Sequence, residues 1–248
     1  MNDASLLAVI IASVLTAVAT GLGALPLLFM RDASNRTLGF ATATAGGLML
    51  AATQLLLVQG TRESGLRTLS GCVAGVVVIW IIARFIHAHG EPDVGKLRGA
   101  SARVAFLIIA VMTAHSAAEG IGVGVSFGGG EDLGVLVALA IAIHNIPEGL
   151  AISLALVPNG ASVKSAAGWS IFSSLPQPLL AIPAFLFVEA FRSALPIGLG
   201  VAGGAMLWMV AFELVPEALG RTSRRTVAAG MVLGYVVMLA ITIGINPG

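Results

Sequence analysis

Apolar stretches long enough to cross a bilayer recur along this chain, over about 5–29, 38–59, 69–88, 103–127, 133–157, 165–190, 195–217 and 226–246. Hydrocarbon offers no partner to backbone N–H and C=O groups, so runs of ~20 apolar residues are confined to helices that close their hydrogen bonds internally. The expectation is an all-α, polytopic membrane protein with eight transmembrane helices and a single transmembrane domain over 1–248. Only 10% of residues are charged, 57% are hydrophobic and mean hydropathy is +0.99, which excludes a soluble domain. Met1-Asn2-Asp3 lacks the basic start of a cleaved leader, so the first run reads as a span. The single cysteine, Cys72, falls within a span and leaves no disulfide framework and no thiolate metal site.

The connections are short, which sets sequence neighbours antiparallel; the longest polar one is about Ala88 to Ser101. Orientation follows from where Lys and Arg collect. Loops after spans 1, 3, 5 and 7, with their helix ends, hold ten: Arg31, Arg36, Arg84, Lys96, Arg98, Arg103, Lys164, Arg221, Arg224 and Arg225. The opposite loops hold three, Arg62, Arg67 and Arg192. Both termini are therefore expected outside, in a multi-pass protein of the cell (inner or plasma) membrane. The net charge of +1 carries no nucleic-acid signal; the bilayer is the expected surrounding.

Inside the fifth run stands His144-Asn145-Ile146-Pro147-Glu148-Gly149. Twenty-nine residues earlier, inside the fourth, stands His115-Ser116-Ala117-Ala118-Glu119-Gly120. Each pairs an imidazole with a carboxylate four residues on, which puts both on one helix face. A charged side chain near the bilayer centre costs roughly 2.5–3.5 kcal/mol on insertion scales, so such a group marks function by default. Both histidines fall about 11–12 residues into their helices, ~17 Å along the axis, and the two pairs can meet near the midplane. Two imidazole nitrogens and two carboxylates suit Zn²⁺, Fe²⁺, Mn²⁺, Co²⁺ or Cd²⁺. Met49 in span 2 adds a thioether, although methionine there also serves as apolar filler.

Three other readings compete with carriage of a metal ion. A purely structural His–Glu network would bury two acids where apolar residues pack as well. A metal-dependent intramembrane enzyme would use the same cluster, but no H-E-x-x-H and no serine-nucleophile motif occurs. A cation channel could use the same acids and would conduct without saturating at micromolar metal. Carboxylates release metal faster than thiolates, which favours passage over holding. The residues themselves therefore favour a transporter, not an enzyme, with the metal as cargo and no cofactor.

Other positions supply the surroundings. Pro147 cannot donate to the carbonyl of Ile143, and Gly120, Gly124 and Gly149 admit close helix neighbours. Ser173-Ser174-Leu175-Pro176-Gln177-Pro178 predicts a break midway along span 6. Glu213 lies one turn deeper than Glu217 at the end of span 7. Glu63, Glu131 and Asp132 sit on the outer side, and His87 and His89 on the cytoplasmic one, where solvation explains them adequately.

The H-S-A-A-E-G and H-N-I-P-E-G motifs, with the S-x-L-x-x-P context of span 6, resemble the ZIP (Zrt/Irt-like) family of divalent metal transporters, and its bacterial GufA-like branch most. The resemblance covers nearly the whole chain. It implies eight helices with both termini outside, metal moved into the cytoplasm, a homodimer, and an elevator-like movement of one helix bundle against another. It assigns His115, Glu119, His144 and Glu148 to a primary metal site, with Met49 as the span 2 contact. Positions that hold a second ion in two-metal members match Ser116, Asn145 and Gln177, none of them charged, so a mononuclear site is expected. Phe212 stands where the family often has histidine, leaving Glu213 as a release-path carboxylate.

Overall fold

The computed structural model describes the backbone of residues 3–29, 34–89, 100–157 and 160–245, and their side chains except at 3–5, 86–89, 100–108 and 245. The regular elements are helical: α1 (Asp3–Leu22), α2 (Asn35–His89), α3 (Ala100–Gly129), α4 (Glu131–Leu156), α5 (Val163–Ser173), α6 (Pro176–Ala190), α7 (Leu195–Met209), α8 (Val215–Arg221) and α9 (Arg224–Ile245). Among the described residues, six stretches are long and apolar enough to cross a membrane. The side chains of His87, His89 and Arg103 and all of Arg31, Lys96 and Arg98 lie outside the described residues, so the charge count is only partly placed.

The loop expected between spans 2 and 3 shrinks to one residue. The stretch Asn35–Phe85 is 51 residues long, about 76 Å as a straight helix against ~30 Å of hydrocarbon. It is not straight, because Ser64 is extended (φ −165°, ψ 106°). A Cβ built on Gly60 would lie 2.8 Å from Oγ1 of Thr68, a residue about 12 Å further along a straight helix. The chain therefore doubles back at Ser64 into two arms, α2a (35–63) and α2b (65–89).

Gly130 alone joins α3 to α4, at φ 148°, a conformation glycine adopts without a Cβ clash. His115 lies fifteen residues before it and His144 fourteen after it, so the hairpin brings both histidines to about 21–22 Å from the turn.

The helices sort into two bundles. Arms α2a and α2b pack mainly on α7, α8 and α9, while α1 and α3 to α6 pack on one another. Within a bundle, glycines bring backbone onto backbone: a Cβ on Gly149 would sit 1.6 Å from the Thr20 carbonyl oxygen, on Gly124 2.1 Å from that of Ala181, and on Gly204 2.1 Å from that of Cys72. Where a glycine faces the other bundle the nearest atoms are side chains, Ala202 at Gly122 and Val125 at Gly198. Each bundle is thus interlocked, and the seam between them is held by side-chain packing.

Span 6 breaks where its prolines predict. Helix α5 ends at Ser173 and α6 begins at Pro176, with Gln177 in its first turn. Pro147 does not interrupt α4, which is continuous through it. Span 7 carries a π-turn at Val210–Leu214, closed by the Val215 N–H on the Val210 carbonyl. Pro216 has no N–H for the carbonyl of Phe212, so the ladder slips by one residue there.

Candidate metal site

Helices α3 and α4 each contribute one motif to the interior of the same bundle. His115, Glu119, His144 and Glu148 are all buried, none more than 5% exposed. Ligand atoms of Glu119, His144 and Glu148 lie within 4.8 Å of one another, close enough for one ion to touch all three. His115, one turn before Glu119, is buried beside them but is not part of that compact group. Met49 is 1% exposed in the main apolar core, on α2a and hence on the other bundle.

The hydrogen bonds define which atoms are presented. Nδ1 of His144 lies 3.1 Å from the Ala140 carbonyl oxygen, which can only accept, so Nδ1 carries a hydrogen. The other nitrogen, Nε2, then faces the site, the arrangement in which a backbone carbonyl orients a ligating imidazole. Nε2 is 2.7 Å from Oε1 of Glu119. Gln177 Nε2 donates to Oε2 of Glu119 at 2.6 Å.

Among the described residues four buried side-chain polar atoms have no hydrogen-bond partner, and three belong here: His115 Nδ1, Asn145 Oδ1 and Glu148 Oε1. An unmet buried polar group costs about 1–3 kcal/mol, more when charged. Lone pairs left unmet beside two carboxylates favour a cation.

Of the positions matched to a second ion, Asn145 and Gln177 are bonded to each other (3.3 Å) and Asn145 also donates to the Thr16 carbonyl at 2.9 Å. Ser116 belongs to a separate hydroxyl cluster, 3.5 Å from Ser174, which in turn lies 2.7 Å from Thr20. Helices α1 and α6 thus complete a site that the motifs place on α3 and α4. Gly120 lets α6 approach: a Cβ there would lie 2.5 Å from the Gln177 carbonyl oxygen.

The flanking acids divide between two ends of the molecule. Arg67 on α2b donates to the Ser193 carbonyl and Gly129 faces Leu195, so the Ser64 and Gly130 turns share an end. Glu63, Glu131 and Asp132 are exposed there. Gly39 of α2a meets Thr222 and Ala218 at the opposite end. There Glu217 pairs with Arg221 at 3.1 Å, and Glu213 is half-buried in the π-turn.

Comparison with known proteins adds a second line of observation. The pattern described as ZIP Zinc transporter matches residues 84–242. The chain is 42% identical over 244 residues to a putative zinc transporter of Arabidopsis thaliana, covering 97% of this chain but only 39% of that protein. It is 33% identical to the zinc transporter GufA of Myxococcus xanthus, covering 96% of this chain and 98% of the relative. It is 32% identical to the zinc transporter ZIPB of Bordetella bronchiseptica, covering 89% and 76%.

Proposed function

Because this chain belongs to the ZIP zinc transporter family, we propose that it carries Zn²⁺ through the membrane into the cytoplasm, binding it at Glu119, His144 and Glu148. It is a transporter rather than an enzyme, and zinc is its cargo rather than a cofactor. The observation that carries the assignment is the convergence of three buried ligand atoms within 4.8 Å, beside lone pairs that nothing else satisfies. Fe²⁺, Mn²⁺, Co²⁺ and Cd²⁺ are further candidates by donor type.

In this reading eight passes arise from the six apolar stretches, the reversal at Ser64 and α3, all in one domain over 1–248. The ion approaches past Glu63, Glu131 and Asp132, sheds water and binds between His144 and the two carboxylates. His115 adds a fourth donor from the next turn of α3, and Met49 closes over the ion from the facing bundle as a longer, outer contact. Backbone interlocking inside each bundle and side-chain packing between them support an elevator-like slide of α1 and α3–α6 against the rest. Release leads toward Glu213 and Glu217. Apolar side chains exposed along α2b, among them Val77, Val78 and Ile81, suit lipid or a second copy in a homodimer. The family resemblance and the charge count support a cell membrane with both termini outside.

The test is uptake of radiolabelled zinc by vesicles holding the purified protein. Saturable uptake at micromolar zinc is expected; non-saturating, voltage-scaled current without it would indicate a channel. Imidazole ligates metal as the neutral base and carboxylate as the anion, which sets the pH dependence. Metal and proton compete for the same lone pairs, so the apparent KM for zinc should rise as pH falls, by at most about tenfold per unit for one proton. A KM independent of pH would contradict binding through imidazole and carboxylate ligands.

A further inference from the structure

The hydrogen bonds behind Glu119 run in one direction, set by a main-chain group. The Thr16 carbonyl can only accept, so Asn145 must turn its amide nitrogen toward it, at 2.9 Å. The same nitrogen donates to Oε1 of Gln177. Gln177 therefore turns its own nitrogen the other way, onto Oε2 of Glu119 at 2.6 Å. Flipping either amide would set acceptor against acceptor. All three side chains have zero exposure, so no water takes over the bonds.

One carboxylate oxygen is thereby withdrawn. Oε2 of Glu119 is held by the amide while Oε1 faces His144, and Glu119, His144 and Glu148 each bring one ligand atom within 4.8 Å of the others. Two-oxygen chelation by Glu119 would break a charge-assisted bond and strand the buried Gln177 nitrogen.

From this geometry we propose that Gln177 is a specificity-determining residue, which caps Oε2 of Glu119, keeps that carboxylate monodentate and so favours Zn²⁺ over Mn²⁺. The inference rests on the zinc-transport reading and concerns selectivity at the same site. Zn²⁺ is satisfied by four donors in a tetrahedron, each carboxylate giving one oxygen. Mn²⁺ prefers six oxygen-rich positions, which a site of few side chains fills by two-oxygen carboxylates. The cap removes one of those positions without touching the ion.

The experiment compares kcat/KM for Zn²⁺ and Mn²⁺ uptake in vesicles carrying wild type, Gln177→Ala or Asn145→Leu. The Mn²⁺/Zn²⁺ ratio should rise about tenfold in Gln177→Ala, the scale of one hydrogen bond to a charged group. It should rise in the same direction in Asn145→Leu, which removes the group that orients Gln177. Uptake of both ions falling in parallel, with the ratio unchanged, would reduce Gln177 to packing and overturn the inference. Wild type carrying neither ion would instead count against zinc transport itself. Should the variants fail to insert, Co²⁺-loaded wild type decides: intense visible bands of a four-coordinate ion are expected, and the weak bands of a six-coordinate one would overturn the proposal.

Discussion

Zinc uptake by reconstituted vesicles is expected to fall by more than about 100-fold when Glu148 is replaced by glutamine or His144 by alanine, the outer limit for losing a mere supporting contact to a metal ligand. Glu148→Gln is the cleaner change, since it keeps volume and removes only the charge. Oε1 of Glu148 has no hydrogen-bond partner to lose, so folding should be little affected. His144→Ala removes the partner of Glu119 and leaves a buried carboxylate facing only Gln177. Breaking one side of such a pair costs roughly 3–5 kcal/mol, and this variant should lose thermal stability as well as transport. His115→Ala should be milder than either, because His115 lies outside the compact group. Full uptake by Glu148→Gln would remove that residue from the site.

Gly149→Ala should be nearly as damaging, by another route. The new Cβ would lie 1.6 Å from the Thr20 carbonyl oxygen, backbone against side chain with no flexible end to yield. Overpacking typically costs about 1–3 kcal/mol, and the upper end is expected because relief requires α1 to move off α4. That movement also reaches the site, since α1 anchors Asn145 through the Thr16 carbonyl and Ser174 through the Thr20 hydroxyl. A lowered melting temperature together with reduced uptake is the expected pair of results. Gly168→Ala in α5 is the control: nothing lies within 4 Å of its Cβ, and helix propensity should make it neutral or slightly stabilising. Equal behaviour of the two variants would contradict the close α1–α4 crossing.

Much of this was legible in the sequence because membrane burial makes polar residues conspicuous. Spacing marked His115, Glu119, His144 and Glu148 as candidates, three of which the fold brings within 4.8 Å, and Pro176 and Pro178 marked the α5–α6 break. The reversal between spans 2 and 3 was legible, but its contraction to Ser64 was not, because the residues around it are as compatible with helix as with a loop. Pro216 was a usable signal for the π-turn, one residue past the peptide whose N–H closes it. The contact of α1 with Asn145 had no sequence signal, since it is made by the main chain of Thr16. Nor could the sequence reveal that Asn145 and Gln177 bond to each other while Ser116 joins a separate cluster, which depends on the register of α6 against both α3 and α4.

The most direct measurement is anomalous diffraction at the zinc edge from crystals of the zinc-loaded protein. One strong peak within bonding distance, roughly 2.0–2.2 Å, of Nε2 of His144 and of carboxylate oxygens of Glu119 and Glu148 is the expected result. A map with zinc elsewhere and none at these three side chains, or with two strong peaks ~4 Å apart there, would contradict a single ion bound between α3 and α4.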